Sequence, residues 1–211
     1  IGIVICVRNV KNPIRLAREI MNTPHIALAG EGAENFAKKK NLWMKLQPTR
    51  ERIAHFKKVV EKIKHGESRW KFNDVKSHWN FSSDYSAVFG CDTIGAVAID
   101  SSGLLAVANS TGGASPMLLG RVGDSPMLGC GFYCGKAAAV AITGIGEEII
   151  KRQLALEVYT KISHGESIET ACTNAINSFP PEIPVGIIAI SRRGYAIASN
   201  REMASAVMVS E

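Results

Sequence analysis

Apolar positions along the chain follow two spacings, one typical of buried strands and the other of amphipathic helices. Short apolar runs bounded by turn residues predict strands, whereas apolar residues repeating every three or four positions predict helices. The predicted strands are 1–7, 25–30, 93–99, 104–110, 137–143, 185–191 and 195–200. The predicted helices start at Asn12–Pro13, cover 31–40, follow a cap at Thr49, and cover 147–163 and 167–178. Apolar strands with helices before and after them favour a sheet covered by helices, and two stacked sheets fit this number of strands.

One long segment breaks this pattern. Residues 65–90 lack periodicity and mix glycine, polar and scattered aromatic residues, which predicts a linker. The short sequences "DSSG" and "RRG" each lie between two predicted strands and predict hairpin turns. The chain is therefore expected to consist of a first part, a linker, and a second part that opens with a strand at Thr93.

The composition indicates one folded domain. With 211 residues and 46% hydrophobic residues, the chain is long enough to bury a sizeable core and resembles neither a disordered nor a collagen-like protein. No apolar stretch reaches the length of a membrane span, and no leader segment is visible, so we expect a soluble protein. Because the chain begins with Ile1 inside a predicted strand, we also expect a segment upstream of it.

The cysteines favour a reducing compartment. Their number is odd and their spacing irregular, unlike a secreted disulfide framework, so we expect a cytoplasmic protein. The five are Cys6, Cys91, Cys130, Cys134 and Cys172. Cys130 and Cys134 lie four positions apart with no histidine or second cysteine pair nearby, which favours buried thiols over metal ligands.

The net charge of +6 is unevenly distributed. Residues 1–92 contain 17 Lys and Arg against 9 Asp and Glu, whereas residues 93–211 contain 8 against 10. The lysines at 38–40 and the basic face of 50–64 are typical of solvated surface. They leave open a catalytically inactive protein that binds a partner through its basic first half, although no nucleic-acid recognition motif accompanies them.

The stretch "GCDTIGAVAID" places a hydroxyl at the start of a buried strand. A threonine there is commonly only a strand former. It becomes a nucleophile if the Asp92–Thr93 bond is cut, because the new α-amine can then take the hydroxyl proton. The amine has an ordinary pKa of about 7.7–8.0, close to the pH at which a general base works best.

Several motifs resemble one family in order and spacing. They are "DTIGAVAID", "ANSTGG", "GRVGDSP" and "ITGIGEE", and the stretch "VRNVKNPIRLAREIMNTPHIALAGEGAENFA" precedes them. Together they resemble the plant-type L-asparaginase and isoaspartyl peptidase family of N-terminal-threonine hydrolases, which is related to threonine aspartase and glycosylasparaginase. The resemblance covers nearly the whole chain outside the linker, and the joining of "GRVGDSP" to the threonine strand is its most specific part.

The resemblance implies roles for the residues of the first three motifs. Thr93 matches the nucleophile, and Thr111 matches the threonine whose hydroxyl holds the nucleophile in place. Arg121 and Asp124 match the pair that binds the α-carboxylate and α-ammonium of a β-aspartyl substrate. A guanidinium offers a planar fork to a carboxylate, and an aspartate accepts hydrogen bonds from an ammonium. An ion pair in a glycine-rich turn is the plainer interpretation of this arginine and aspartate.

The last motif lies between a strand and a helix start. Thr143 and Gly144 match the oxyanion hole, and Gly146 matches a glycine lining the substrate amine site. A hydroxyl and a backbone N–H stabilise developing negative charge, and a helix N-terminus adds a favourable dipole. The same stretch resembles a dinucleotide fingerprint, but Ile149 stands in place of the third glycine, so no nucleotide site is predicted.

The family also implies a fold and an assembly. We expect an αββα four-layer sandwich made as one precursor, which cuts itself into subunits of 1–92 and 93–211. These subunits are expected to stay together as one structural domain and to pair as a dimer of heterodimers. The family's first strand and its glycine-rich loop have no counterpart in the sequence. The expected substrates are L-asparagine and β-aspartyl dipeptides, with no cofactor, no metal in the site, and neither a nucleic-acid nor a membrane partner.

The sequence departs from the family at two places. Asp92 stands where asparaginases have glycine, as in threonine aspartase, a protease that cuts after aspartate. Residues 114–119, "ASPMLL", replace a segment that in the family contains threonine, asparagine and lysine. An aspartyl-specific threonine endopeptidase is therefore the first alternative, although "GDSP" favours the small substrate.

Overall fold

Helices and strands alternate along the described part of the chain. The computed structural model describes residues 1–64, 93–114 and 117–209. The elements are β1 (Ile3–Ile5), α1 (Pro13–Ile20), β2 (Ala27–Ala29), α2 (Gly30–Lys39), α3 (Arg50–Lys64), β3 (Thr93–Ile99), β4 (Leu105–Thr111), β5 (Phe132–Cys134), β6 (Ala138–Gly144), α4 (Gly146–Arg152), α5 (Leu154–Ser163), α6 (Ile168–Asn177), β7 (Val185–Ser191) and β8 (Gly194–Ser199). They form two compact units, Ile1–Asp92 with Thr111–Val122, and Thr93–Ser110 with Gly123–Glu211. The predicted linker, Cys91 and Asp92 lie outside the described residues.

The first unit contains a short parallel sheet with helices packed against it. β1 pairs with β2, and α1 buries Leu16 and Ile20 completely. Glu34 of α2 joins two loops, since its carboxylate accepts hydrogen bonds from the backbone N–H of Arg8 at 2.9 Å and from the Trp43 indole at 3.3 Å. Burial alone would raise the pKa of Glu34, but these hydrogen bonds outweigh it and lower the pKa.

Two helix starts predicted from the sequence are confirmed in this unit. α1 begins at Pro13, whose missing N–H costs nothing in the first turn of a helix. α3 follows Thr49, whose hydroxyl accepts a hydrogen bond from the backbone N–H of Arg52 at 3.3 Å. Local chemistry at the N-terminus therefore determines where these helices begin.

The second unit is built on an antiparallel sheet in the order β5-β6-β7-β8. α5 and α6 pack on one face of this sheet, where Val140 and Ile142 of β6 point into the main core. The other fully buried large side chains of this core are Ile149, Leu154, Val158, Cys172, Val185 and Ile187. β6 therefore presents its even-numbered side chains to the helices and its odd-numbered ones to the opposite face.

A hairpin of β3 and β4 covers that opposite face. Asp100 holds its turn, because its Oδ1 accepts hydrogen bonds from the backbone N–H groups of Ser102 and Leu104. β3 packs against β6 and β7, and a Cβ added at Gly95 would lie only 2.9 Å from the Cβ of Ala141. The unit thus stacks two sheets and covers one with helices, a mixed helix and sheet arrangement consistent with the predicted α/β class. The four-layer sandwich as a whole stays a prediction.

Two features differ from the prediction. The helix predicted over 147–163 is two helices, because Gln153 between α4 and α5 adopts a left-handed conformation with φ of 51°. The helical spacing of apolar residues continues through this residue, so the pattern alone does not reveal the break. The three-residue strand β5 was not predicted, since so short a run carries no recognisable periodicity.

The close stacking at Gly95 generates a stability prediction. Gly95→Val should lower the free energy of unfolding by about 1–3 kcal/mol, because the larger side chain forces β3 away from β6. Thermal unfolding followed by circular dichroism measures the loss. Ile94→Val is the matched control, since the Ile94 side chain is 73% exposed on the other face of β3. Equal melting temperatures for Gly95→Val and the control would contradict the stacking argument.

Candidate active site

The β3–β4 hairpin places Thr93 at its open end. β3 begins at Thr93 and β4 ends at Thr111, while the turn is closed by a hydrogen bond from Asp100 N to Leu104 O at 3.1 Å. Side chains two positions apart in a strand point to the same face. Thr93 therefore faces the β5–β8 sheet, as Gly95 does two positions further on.

Two hydrogen bonds establish the direction of the hairpin over the sheet. Near the turn, the Cys134 thiol donates to Leu105 O at 3.4 Å, and Cys134 pairs with Ala139 near the start of β6. Nearer the open end, the Asn109 amide donates to Ile142 O at 3.3 Å, close to the end of β6. β4 therefore runs in the same direction as β6, and the open end of the hairpin lies over the C-terminal end of β6.

That end of β6 carries the residues predicted for the oxyanion hole. Thr143 is half-buried and lies two positions after Ala141, so its side chain faces the hairpin. Gly144 has a φ of +148°, and a Cβ there would clash with the carbonyl oxygen of Pro184. Thr93 and Thr143 thus face the same space between the two sheets, at the same end of both.

The buried loop of Asp124 and Ser125 joins this end. Asp124 and Ser125 are 5% and 4% exposed, and Asp124 O accepts a hydrogen bond from the backbone N–H of Gly131 at 3.1 Å. Gly131 O in turn accepts from Ile142 N at 2.8 Å and from the Asn109 amide at 3.0 Å. The loop is therefore tied to the strand that ends in Thr143 and Gly144. Gly146, the first residue of α4, is buried two positions further on.

Three of the predicted site residues stand apart from this group. Thr111 and Arg121 belong to the first unit, where the Thr111 hydroxyl accepts a hydrogen bond from Gly113 N at 3.0 Å and Arg121 is half-buried. Their placement around the Thr93 side chain therefore stays a prediction. The predicted cleavage position extends to Asp92, which lies outside the described residues.

Sequence reasoning missed two residues that assemble the site. Asn109 links the hairpin to both β6 and the Asp124 loop, and Gly131 lies so close to that loop that a Cβ would be 2.5 Å from Asp124 O. An asparagine on the inward face of an otherwise apolar strand was a signal for the first. No local sequence signal distinguishes Gly131, because the residues closest to it, Asp124 and Ser125, belong to another turn.

The three cysteines of this unit all have thiol pKa values above the ordinary range. Burial raises the pKa of the Cys172 thiol to about 12, with the nearby charge of Glu169 adding to the effect. Burial, followed by the charge of Asp124, also raises the pKa of Cys130, and burial raises that of Cys134.

Among the described residues, no group of three or more His, Cys, Asp or Glu side chains could hold a metal ion. In the same part of the chain, no helix is both long and apolar enough to span a membrane.

Comparison with known proteins identifies the family. A family model described as asparaginase matches residues 1–211. The chain therefore belongs to the asparaginase family.

Three named relatives place the chain within this family. A plant-type L-asparaginase from Pyrobaculum calidifontis is 37% identical over 208 residues, covering 94% of this chain and 64% of that protein. An isoaspartyl peptidase/L-asparaginase from Rattus norvegicus is 36% identical, covering 93% of this chain and 56% of that protein. An isoaspartyl peptidase from Escherichia coli is 34% identical, covering 95% of this chain and 62% of that protein. The chain thus spans about 56–64% of the length of these relatives.

The contact between Gly131 and the Asp124 loop can be tested by adding one methyl group. Gly131→Ala should lower the free energy of unfolding by about 1–3 kcal/mol, because the new Cβ meets rigid backbone of Asp124 and Ser125. Chemical denaturation measures the change. Gly32→Ala is the matched control, since a Cβ at this helical position would have no described atom within 4 Å apart from its chain neighbours and the backbone of its own helix. A Gly131→Ala chain as stable as the control would contradict this account of the loop.

Proposed function

We propose that this chain is a threonine hydrolase that cleaves itself before Thr93 and then hydrolyses the side-chain amide of L-asparagine and the β-linked bond of isoaspartyl peptides. The observation that carries the proposal is the arrangement of Thr93 and Thr143 on facing sheets, with the Asp124 loop tied to the same strand end. Membership of the asparaginase family and the names of the relatives support it.

Self-cleavage uses the nucleophile, the peptide bond that precedes it and one water molecule. The Thr93 hydroxyl attacks the carbonyl carbon of Asp92, the C–N bond breaks, and the nitrogen of Thr93 takes the proton as a free amine. The resulting ester between Asp92 and the Thr93 oxygen is opened by water, which leaves a carboxylate on Asp92 and restores the hydroxyl. The new α-amine then serves as the general base for the same hydroxyl.

Hydrolysis follows in two steps at the same residue. The Thr93 oxygen attacks the side-chain carbonyl of the substrate, and the α-amine takes the hydroxyl proton and passes it to the leaving group. Ammonia leaves from asparagine, and an amino acid leaves from an isoaspartyl dipeptide. Water then attacks the acyl-enzyme and releases L-aspartate. The sequence of steps needs no organic cofactor and no metal.

The surrounding residues stabilise charge and select the substrate. The Thr143 hydroxyl and the Gly144 N–H bind the developing oxyanion, where fixed dipoles are most effective because they need no reorganisation. Arg121 binds the α-carboxylate, Asp124 accepts hydrogen bonds from the α-ammonium, and Gly146 leaves room beside it. Thr111 holds the hydroxyl of Thr93 in its reactive position. A substrate with a free aspartyl zwitterion satisfies all of these groups.

The proposal extends to the assembly and the compartment. The subunits 1–92 and 93–211 remain together in a four-layer αββα sandwich and pair as a dimer of heterodimers. The cytoplasm is the proposed location, because the described cysteines Cys6, Cys130, Cys134 and Cys172 are all free thiols.

The substrate class is tested directly against the endopeptidase that Asp92 suggests. The purified chain is incubated with L-asparagine, with β-aspartyl dipeptides, and with unfolded polypeptides containing aspartate. Release of aspartate from the first two supports the proposal, whereas cleavage of the polypeptides alone supports the endopeptidase. A chain that stays whole by intact-mass measurement and releases no ammonia would be an inactive binding protein.

Removing the nucleophile separates this mechanism from any other. Thr93→Ala should abolish both self-cleavage and hydrolysis, because self-cleavage then lacks its attacking hydroxyl and hydrolysis lacks both that hydroxyl and the amine that cleavage creates. Intact mass and N-terminal sequencing detect cleavage, and ammonia release from L-asparagine detects hydrolysis. Thr93→Ser retains the hydroxyl and should still cleave itself. Cleavage that persists in Thr93→Ala would disprove the proposed nucleophile.

Removing the carboxylate-binding group should affect the two reactions differently. Arg121→Ala should raise KM at least about tenfold, because a charge-assisted bidentate contact is worth roughly 1.5–3 kcal/mol. Self-cleavage should continue, since the scissile bond is already part of the chain. Steady-state kinetics and intact mass on the same sample measure both. Loss of self-cleavage in Arg121→Ala would instead indicate a structural role for this arginine.

A further inference from the structure

Thr143 has no side chain opposite it on the neighbouring strand. It pairs with Gly186 of β7 in the antiparallel register of the two strands. Residues directly opposite each other in such a pair project to the same face, with Cβ atoms about 4.5–5.5 Å apart. The missing side chain at Gly186 therefore leaves a space beside Thr143, on the face turned towards the hairpin.

Met203 fills that space from the segment after β8. Its Sδ lies 2.5 Å, and its Cε 3.6 Å, from the point where a Cβ on Gly186 would be. The Cγ2 methyl of Thr143 lies 3.1 Å from the same point. Met203 is half-buried, whereas Met208 of the same segment is 94% exposed. The methionine side chain thus takes the cross-strand position next to the threonine methyl.

Asn200 fixes the path of this segment. Its side-chain amide donates to Ile183 O at 2.8 Å, and its Oδ1 accepts from Val185 N at 2.9 Å. Its own backbone N–H donates to Val185 O at 3.2 Å. These three hydrogen bonds tie the chain after β8 to the start of β7, immediately before Gly186, so that Met203 reaches the space three residues later.

We propose that Met203 is a positioning residue for Thr143, an inference that rests on the proposed function. A threonine side chain is stiff about its first dihedral angle, so fixing the methyl also fixes the hydroxyl. The thioether packs beside the Cγ2 methyl and holds the rotamer in which the hydroxyl points to the oxyanion. A flexible, polarizable methionine suits a space this irregular, and a side chain on Gly186 itself would displace it.

Kinetics of two variants test the role. Met203→Ala should lower kcat about tenfold with KM changed less than about twofold, because the lost interaction acts in the transition state. Met203→Leu, of similar volume, should recover most of kcat. Met208→Ala is the matched control and should behave as the wild-type chain. A Met203→Ala chain with wild-type kcat, or with a change in KM alone, would overturn the proposal.

A double-mutant cycle distinguishes positioning from general destabilisation. Thr143→Ser removes the methyl that Met203 holds, while it retains the hydroxyl. Adding Met203→Ala to Thr143→Ser should then reduce kcat by less than about twofold, since contacting residues are not additive. If the reduction in kcat of the double variant equals the product of the reductions in the two single variants, Met203 acts independently of Thr143 and the positioning role is wrong.

A third measurement does not depend on turnover. With 13C-labelled methionine methyl groups, the Met203 signal should shift in Thr143→Ser, and the Met208 signal should not. A Met203 signal that does not move would overturn the positioning role, even if the wild-type chain hydrolyses asparagine at full rate. Absence of turnover in the wild-type chain would contradict the proposed function, and the two failures are therefore distinct.

Discussion

The close approach of the β3–β4 hairpin to β6 is the contact on which the site depends. Small residues allow it, because Gly95 and Ala141 leave little volume between the sheets, and the Asn109 amide joins the hairpin to Ile142 O and Gly131 O. A larger side chain or a shift of one residue would turn Thr93 away from the space that Thr143 faces. Two of the proposed reactive residues, Thr93 and Thr143, are therefore held by regular strands, which position side chains more precisely than loops do.

Around this contact, backbone takes the place of side chains wherever the chain must approach closely. Gly131 lies against the Asp124 loop, Gly144 ends β6 with a positive φ, and Gly186 leaves space for Met203. At each glycine, a side-chain packing contact is replaced by a hydrogen bond, a turn or a side chain from elsewhere in the chain. A glycine in a strand or loop lowers the local stability, but these three glycines allow backbone and side-chain dipoles to meet at one strand end.

The sequence correctly predicted the features that depend on local chemistry or on the spacing of apolar residues. The cap at Thr49, the proline start of α1 and the hairpins are of this kind, because neighbouring residues alone determine them. It failed where the deciding partner is distant, as with the left-handed Gln153 inside an apparently continuous helix and the three-residue β5. For the site, the roles that family motifs assign to Thr93, Thr111, Arg121, Asp124, Thr143, Gly144 and Gly146 stay predictions. The motifs gave no indication of Asn109 or Met203, whose proposed roles come from contacts across the fold.

The pairing of Thr143 with Gly186 would also set the order of events in the proposed self-cleavage. Thr93 leaves the ribosome well before β7, and β6 has no strand on its β7 side until residues 185–191 have been made and paired. In the proposed reaction, the oxyanion site at Thr143 is therefore incomplete while the chain is still being synthesised. The Asp92–Thr93 bond would stay uncut during that time. Under the proposal, self-cleavage would follow the closure of the β5–β8 sheet, and a misfolded copy would remain uncut and without a catalytic amine.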